Sequence, residues 1–222
     1  MIKTLLAFSL ALTPSLAWSA NYYEPHFQSR MMTIAVQTWG IGPGAVMLLG
    51  DSNTEMFRPT QVGNCQVINA GFGGARIADI RDRAASLADI VHPSIVHIMI
   101  GSNDIGQPSE GAADALAETV EAFKQRGASV TLWAIPPINT QFGKVENANA
   151  VNKIIANVAK AEDVSLVDDW AQEMIAADGY AKPNWIIGDG VHLSPNAQRI
   201  RETRIAQIDA DILKTPGKTC KN

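Results

Sequence analysis

Residues 45–55 read Ala45-Val46-Met47-Leu48-Leu49-Gly50-Asp51-Ser52-Asn53-Thr54-Glu55. An unbroken apolar run stops at a glycine and gives way to an unbroken polar one. An apolar run this short and this pure fits a strand buried on both faces, since a helix needs more residues and shows a longer period. The polar block opens with Asp and Ser, whose side chains favour helix starts. The stretch therefore reads as buried strand, sharp turn and helix start, which is the first half of a βα unit.

The same alternation continues downstream. Apolar runs recur at 66–70, 94–100, 129–134 and 164–167, and helix-like stretches lie at 75–90, 111–126, 144–161 and 169–177. A last helix runs from Ser194, as N-cap, through Pro195 to about Lys214. Strands alternating with helices predict an α/β fold: a five-stranded, mainly parallel sheet in a three-layer α/β/α sandwich. In such sheets, sites gather at the carboxyl ends of the strands. No internal repeat, low-complexity segment or linker divides the chain, so residues 45–215 are expected to form one domain, with a short tail at 216–222.

Upstream, 21–44 reads as a helical extension. Phe27, Met31, Ile34 and Ala35 fall at helical spacing before Gly40-Ile41-Gly42-Pro43-Gly44 breaks the pattern. Residues 1–20 read as a signal peptide: Lys3, an apolar run from Leu5 to Leu12, Pro14, then small residues around Ala17, Ser19 and Ala20. That run is shorter than the roughly 20 apolar residues a membrane span needs. The expectation is an exported protein, periplasmic or extracellular, without a stable membrane anchor. In that setting the only two cysteines, Cys65 and Cys220, are expected to form a disulfide tying the tail to the body; two free thiols are the alternative. The formal net charge is −4 with 18% charged residues, which gives no basic cluster for nucleic acid.

Four polar blocks follow apolar runs or precede the last helix. Gly50-Asp51-Ser52 puts a hydroxyl at a strand-to-helix turn, where backbone N–H groups are unpaired. Such a Ser can attack a carbonyl while its own N–H helps to hold the oxyanion, although an isolated Gly-Asp-Ser more often only caps a helix. Asn69-Ala70-Gly71-Phe72-Gly73-Gly74 is glycine-rich enough for backbone to approach a ligand closely, or is a tight turn. Gly101-Ser102-Asn103-Asp104 offers a side-chain amide donor, or an Asn-Asp turn. Asp189-Gly190-Val191-His192 places a carboxylate three residues before an imidazole that it can orient. His97 sits in an apolar strand, His92 in a turn and His26 in the first helix, so they are weaker candidates. No metal-binding motif occurs, and no cofactor is expected.

Each block alone is ambiguous; the ordered set resembles the SGNH hydrolase superfamily, also called GDSL esterases/lipases, over roughly residues 45–210. The surrounding pattern is similar to the platelet-activating-factor acetylhydrolase catalytic-subunit branch. The resemblance implies a flavodoxin-like fold, Ser52 as nucleophile, His192 as general base and Asp189 as its orienting carboxylate. It implies an oxyanion hole made of the Ser52 N–H, the Gly74 N–H and the Asn103 side chain. The residue after the nucleophile is Asn53, where the family often has Leu or Ile; a change in packing is expected there, not in chemistry. The implied activity is hydrolysis of carboxylic esters, with short acyl groups favoured because no long hydrophobic lid is visible. The substrate class would be a small-molecule, carbohydrate or lipid ester. A non-catalytic carbohydrate- or lipid-binding protein on the same scaffold is the alternative. Trp133, Pro136, Pro137, Phe142 and Trp185 either line the pocket or pack loops.

Overall fold

A computed structural model describes residues 23–108 and 110–222. The expected signal peptide at 1–20 lies outside the described residues. Along the chain come α1 (Glu24–Ile41), β1 (Val46–Gly50), α2 (Ser52–Glu55), β2 (Gln61–Val62), β3 (Cys65–Gly71), α3 (Ile77–Val91) and β4 (Ile95–Met99). Then follow α4 (Ala112–Lys124), β5 (Ser129–Trp133), α5 (Val145–Ala161), β6 (Ser165–Val167) and α6 (Pro195–Leu213).

The sheet order is β2-β3-β1-β4-β5-β6. All pairings are parallel except β2 with β3. This is the expected α/β sandwich with one strand more than the five read from the sequence. The sixth is β2, whose two residues are too few to leave an apolar run. A second expectation needs correction. Residues 169–177 do not form an α-helix; only a 3₁₀ turn, Gln172–Met174, occurs there. Trp170 and Met174 are buried together in the core on the α6 side of the sheet, with the Trp170 indole N–H donating to the Ala134 carbonyl at 3.0 Å.

Strand residues alternate between two cores, as period-2 geometry requires. Met47 and Leu49 face a large core with residues of α1, α3, α4 and α5, including Phe27, Ile80, Phe123 and Ile155. Val46 and Leu48 face a smaller core with Leu193 and with Ala197 and Ile205 of α6. The lone histidine of this second layer, His97, is buried. Its Nδ1 accepts from the Trp133 indole N–H at 3.0 Å, so Nε2 carries the proton and donates to Asp209 at 2.8 Å.

Chain connectivity sets where the site lies. From β1 the chain steps outward to β3, then returns across to β4 on the other side of β1. The carboxyl ends of β3, β1 and β4 are thus neighbours at the topological switch point, where open α/β sheets bind ligands. At the opposite end of the sheet, Cys65 and Cys220 are disulfide-bonded. The tail is also held there by backbone, with Lys221 N–H donating to Gly44 O at 2.8 Å and Gln66 N–H to Lys221 O at 2.6 Å.

Candidate active site

Ser52 begins α2 directly after β1. Asp51 is its N-cap: Oδ1 accepts from the Asn53 N–H at 3.0 Å, and Oδ2 accepts from the Ser102 N–H at 3.2 Å. One carboxylate therefore ties the Ser52 turn to the loop after β4. Asp51 is fully buried; desolvation pushes its pKa up, against those two hydrogen bonds and the nearby Arg201 charge. Arg201, on α6, is also fully buried and donates to Asn53 O at 3.3 Å and Thr54 Oγ1 at 3.1 Å. Its burial lowers its pKa to about 9 despite the Asp51 charge.

The loop before α6 brings the imidazole in. His192 Nε2 lies 2.8 Å from Ser52 Oγ, and Nδ1 lies 2.6 Å from Asp189 Oδ2. Asp189 Oδ1 accepts from the backbone N–H groups of Val191 at 3.1 Å and His192 at 3.0 Å. Burial raises the Asp189 carboxyl, but the hydrogen bonds from the His192 ring and these two N–H groups outweigh it and hold its pKa below the usual carboxylate value. The ionised carboxylate accepts a hydrogen bond from the Nδ1–H of the ring. That leaves the Nε2 lone pair facing the Ser52 hydroxyl, the tautomer a general base needs.

The glycine loop after β3 is held at several of its polar atoms. Gly71 N–H donates to Asn69 Oδ1 at 2.9 Å, and Gly73 N–H to Glu55 Oε2 at 2.6 Å. Among the described residues the Gly74 N–H has no hydrogen-bond partner, and neither has that of Ser52. Gly74 has φ +80°, and a Cβ there would stand 2.5 Å from the Tyr23 ring. Both the left-handed backbone and the aromatic cover require glycine at this position. Asn103, on the 3₁₀ turn after β4, donates one amide hydrogen to Ala75 O at 2.9 Å. Its second amide hydrogen stays available. The structure thus brings together Ser52, His192 and Asp189 by direct contact, and hangs Gly74 and Asn103 from the two neighbouring strand ends.

Ser52 and His192 open into a cleft of about 690 Å³ whose other walls are Tyr23, Pro25, His26, Glu55, Met56 and Gly73. Much of that wall comes from α1 and the residue before it. None of Trp133, Pro136, Pro137, Phe142 and Trp185, considered from sequence, lines this cleft. Trp133 is fully buried on the His97 side of the sheet, Pro136 and Pro137 line a small cavity against α5, and Trp185 lines a groove against α6. Among the described residues no cluster of His, Cys, Asp and Glu could hold a metal ion.

Residues 48–200 match the model of the GDSL-like lipase/acylhydrolase family. The chain belongs to that family. Among curated relatives, a Bacillus subtilis (strain 168) protein named as an uncharacterized lipoprotein, YqeF, is 26% identical over 212 residues, covering 72% of this chain and 87% of that one. An arylesterase of Vibrio mimicus is 29% identical over 136 residues, covering 60% of this chain and 64% of that one. Among solved structures, a Streptococcus pneumoniae protein described as a candidate platelet activating factor superposes with a TM-score of 0.70 at 17% identity, over 85% of this chain and 95% of that one. At that identity the likeness bears on the fold. As a GDSL-like acylhydrolase, the protein is a carboxylic ester hydrolase.

Within this family member, Asn53 does more than pack. Its Nδ2 donates to Val191 O at 3.2 Å and its Oδ1 accepts from Leu193 N–H at 2.9 Å. A Leu or Ile at this position could do neither. Asn69 is a second hub: Oδ1 receives Gly71 N–H and Arg30 at 2.9 Å each, and Nδ2 donates to Thr54 O at 2.7 Å and to Phe57 O. The one sequence signal for both was an amide side chain beside a strand end, where it has both a donor and an acceptor to spend.

Proposed function

We propose that the protein is an exported serine esterase acting through Ser52, His192 and Asp189 on esters of short acyl groups, acetate first. The observation that carries this reading is the continuous hydrogen-bonded line Asp189–His192–Ser52, at 2.6 Å and 2.8 Å. Ser52 Oγ bonds to the ester carbonyl carbon as its proton passes to His192 Nε2. The Ser52 N–H, the Gly74 N–H and the free Asn103 amide hydrogen receive the negative charge that develops on the carbonyl oxygen. As the carbon–alkoxy bond breaks, His192 returns the proton to the leaving alcohol. A water molecule then gives a proton to His192 and attacks the acyl-Ser52, releasing the acid and restoring the hydroxyl.

Support for short acyl groups comes from the stretch between β6 and α6. It carries His192, is tied to itself by the bridges Ile175↔Ala181 and Ile186↔Leu193, and is held to the loop after β5 by Ala181 N–H donating to Ile138 O at 2.8 Å and Asn139 N–H donating to Gly190 O at 2.9 Å, instead of forming an apolar lid. Support for export comes from the pattern of residues 1–20, from the Cys65–Cys220 bridge and from the lipoprotein relative. The natural substrate class under this reading is a small-molecule, carbohydrate or lipid ester. Turnover of p-nitrophenyl esters from acetate to palmitate tests the acyl claim: acetate is expected to give the highest kcat/KM, and a palmitate preference would contradict it. Ser52→Ala is expected to abolish p-nitrophenyl acetate hydrolysis with an unchanged fold.

A further inference from the structure

Glu55 ends α2, one turn beyond Ser52, and its carboxylate is turned inward, with 17% of the side chain exposed. Oε2 accepts the Gly73 N–H at 2.6 Å and lies 2.8 Å from His26 Nε2. Arg30 Nε lies 4.0 Å from Oε1. The same guanidinium donates to the backbone of the glycine loop, to Gly71 O at 2.7 Å and Asn69 O at 3.0 Å. The loop also runs tight against α2: a Cβ on Gly71 would stand 2.1 Å from the Glu55 nitrogen.

These contacts bracket Gly74. On one side Glu55 fixes the Gly73 N–H. On the other, Ala75 N–H donates to Phe72 O at 3.0 Å and Ala75 O accepts from Asn103. Between them stands the unpaired Gly74 N–H. An oxyanion donor contributes only if it is already aimed at the place where charge develops, because reorienting it during the reaction forfeits the gain.

We propose that Glu55 is a positioning residue for the oxyanion hole, and that α1, through His26 and Arg30, holds Glu55 in place. This rests on the reading of Ser52 and Gly74 given above. It also makes the first helix, which lies outside the matched residues 48–200, a working part of the esterase. A loosened donor weakens transition-state binding while leaving ground-state binding of a small ester nearly untouched.

The test is steady-state hydrolysis of p-nitrophenyl acetate by the full chain. Complete loss of one oxyanion donor costs about 10²–10³ in turnover, so a misaimed one is expected to cost about tenfold or more. Glu55→Ala should lower kcat by that factor with KM within about twofold. Glu55→Gln keeps an oxygen acceptor for Gly73 and should stay within about threefold of wild type. His26→Ala removes a partly exposed partner and should lower kcat about threefold, again with KM nearly unchanged. Wild-type kcat in Glu55→Ala, or a Gln variant as impaired as the Ala variant, would overturn the proposal. Should Glu55→Ala not fold, wild-type kcat in His26→Ala would overturn it. If Ser52→Ala is inactive and Glu55→Ala is not impaired, only the role of Glu55 is lost; if Ser52→Ala stays active, the reading of Ser52 itself falls.

Discussion

Asn53 grips the His192 loop on both sides of the imidazole, through Val191 O at 3.2 Å and Leu193 N–H at 2.9 Å. The side chain next to the proposed nucleophile therefore sets the position of its base. Asn53 is 1% exposed, so the partners it satisfies are shut away from water. Asn53→Leu leaves a buried donor and a buried acceptor unpaired, at about 1–3 kcal/mol each before relaxation. The expected outcome is a loss of about 2 kcal/mol in urea unfolding and a fall in kcat of about tenfold, since the base is no longer aimed. Unchanged stability together with unchanged kcat would show that the grip is idle.

Asp51 makes the equivalent connection to the loop after β4. Its two oxygens accept from Asn53 and Ser102 N–H groups at zero exposure. An amide has only one oxygen, so Asp51→Asn turns an NH₂ group toward one of the two donors. Destabilisation of about 1–3 kcal/mol is expected, measured as a drop in Tm and in the urea midpoint. A variant as stable as wild type would mean that the turn is held without this carboxylate.

The acid side of the pH profile has a definite sign. Hydrogen bonds hold the Asp189 carboxyl below the usual carboxylate value, so its ionised form, and whatever it contributes, persists until the pH falls through that depressed value. Above that value Asp189 keeps its charge and takes up no proton of its own. The slope of log(kcat/KM) against pH on the acid limb should therefore not exceed +1. Asp189→Asn cannot select the Nδ1–H tautomer and should lower kcat by about 10² or more. A slope of +2 would mean that the carboxylate titrates together with its partner.

Cys65 and Cys220 lie 155 residues apart in sequence, so their bridge closes a long loop. The chain-entropy model puts such a closure at about 4–5 kcal/mol. Cys65 starts β3 and the glycine loop follows its other end, about 20 Å away at strand rise. Cys220→Ser is therefore expected to lower unfolding free energy by about 2–5 kcal/mol while leaving kcat at 25 °C within about twofold. A large loss of turnover in a folded variant would contradict this separation.

The sequence carries the parts of this molecule that are local. Each inner strand is an apolar run long enough to see, and polar blocks follow β1, β3 and β4, so the sheet and the placement of Ser52, the glycine loop and Asn103 at its strand ends are legible in the sequence. What escapes is pairwise and distant. Asn53 meets its partners 138 and 140 residues away, and no pattern near Asn53 announces them. The walls of the cleft come from Tyr23, Pro25 and His26, on a segment that looks like an extension because its helical periodicity says nothing about where its first turn docks. Trp133 attracts notice as a large aromatic after a strand, yet alternation turns it to the opposite face. The two-residue β2 is too short to carry a period at all.

The most direct test of the central claim is fluorophosphonate labelling read by intact-protein and peptide mass spectrometry. The account predicts one adduct per chain, on Ser52, absent in Ser52→Ala and slowed by at least about tenfold in His192→Ala, with esterase activity lost in proportion to labelling. An adduct on another residue, or undiminished ester hydrolysis by the Ser52→Ala protein, would contradict it.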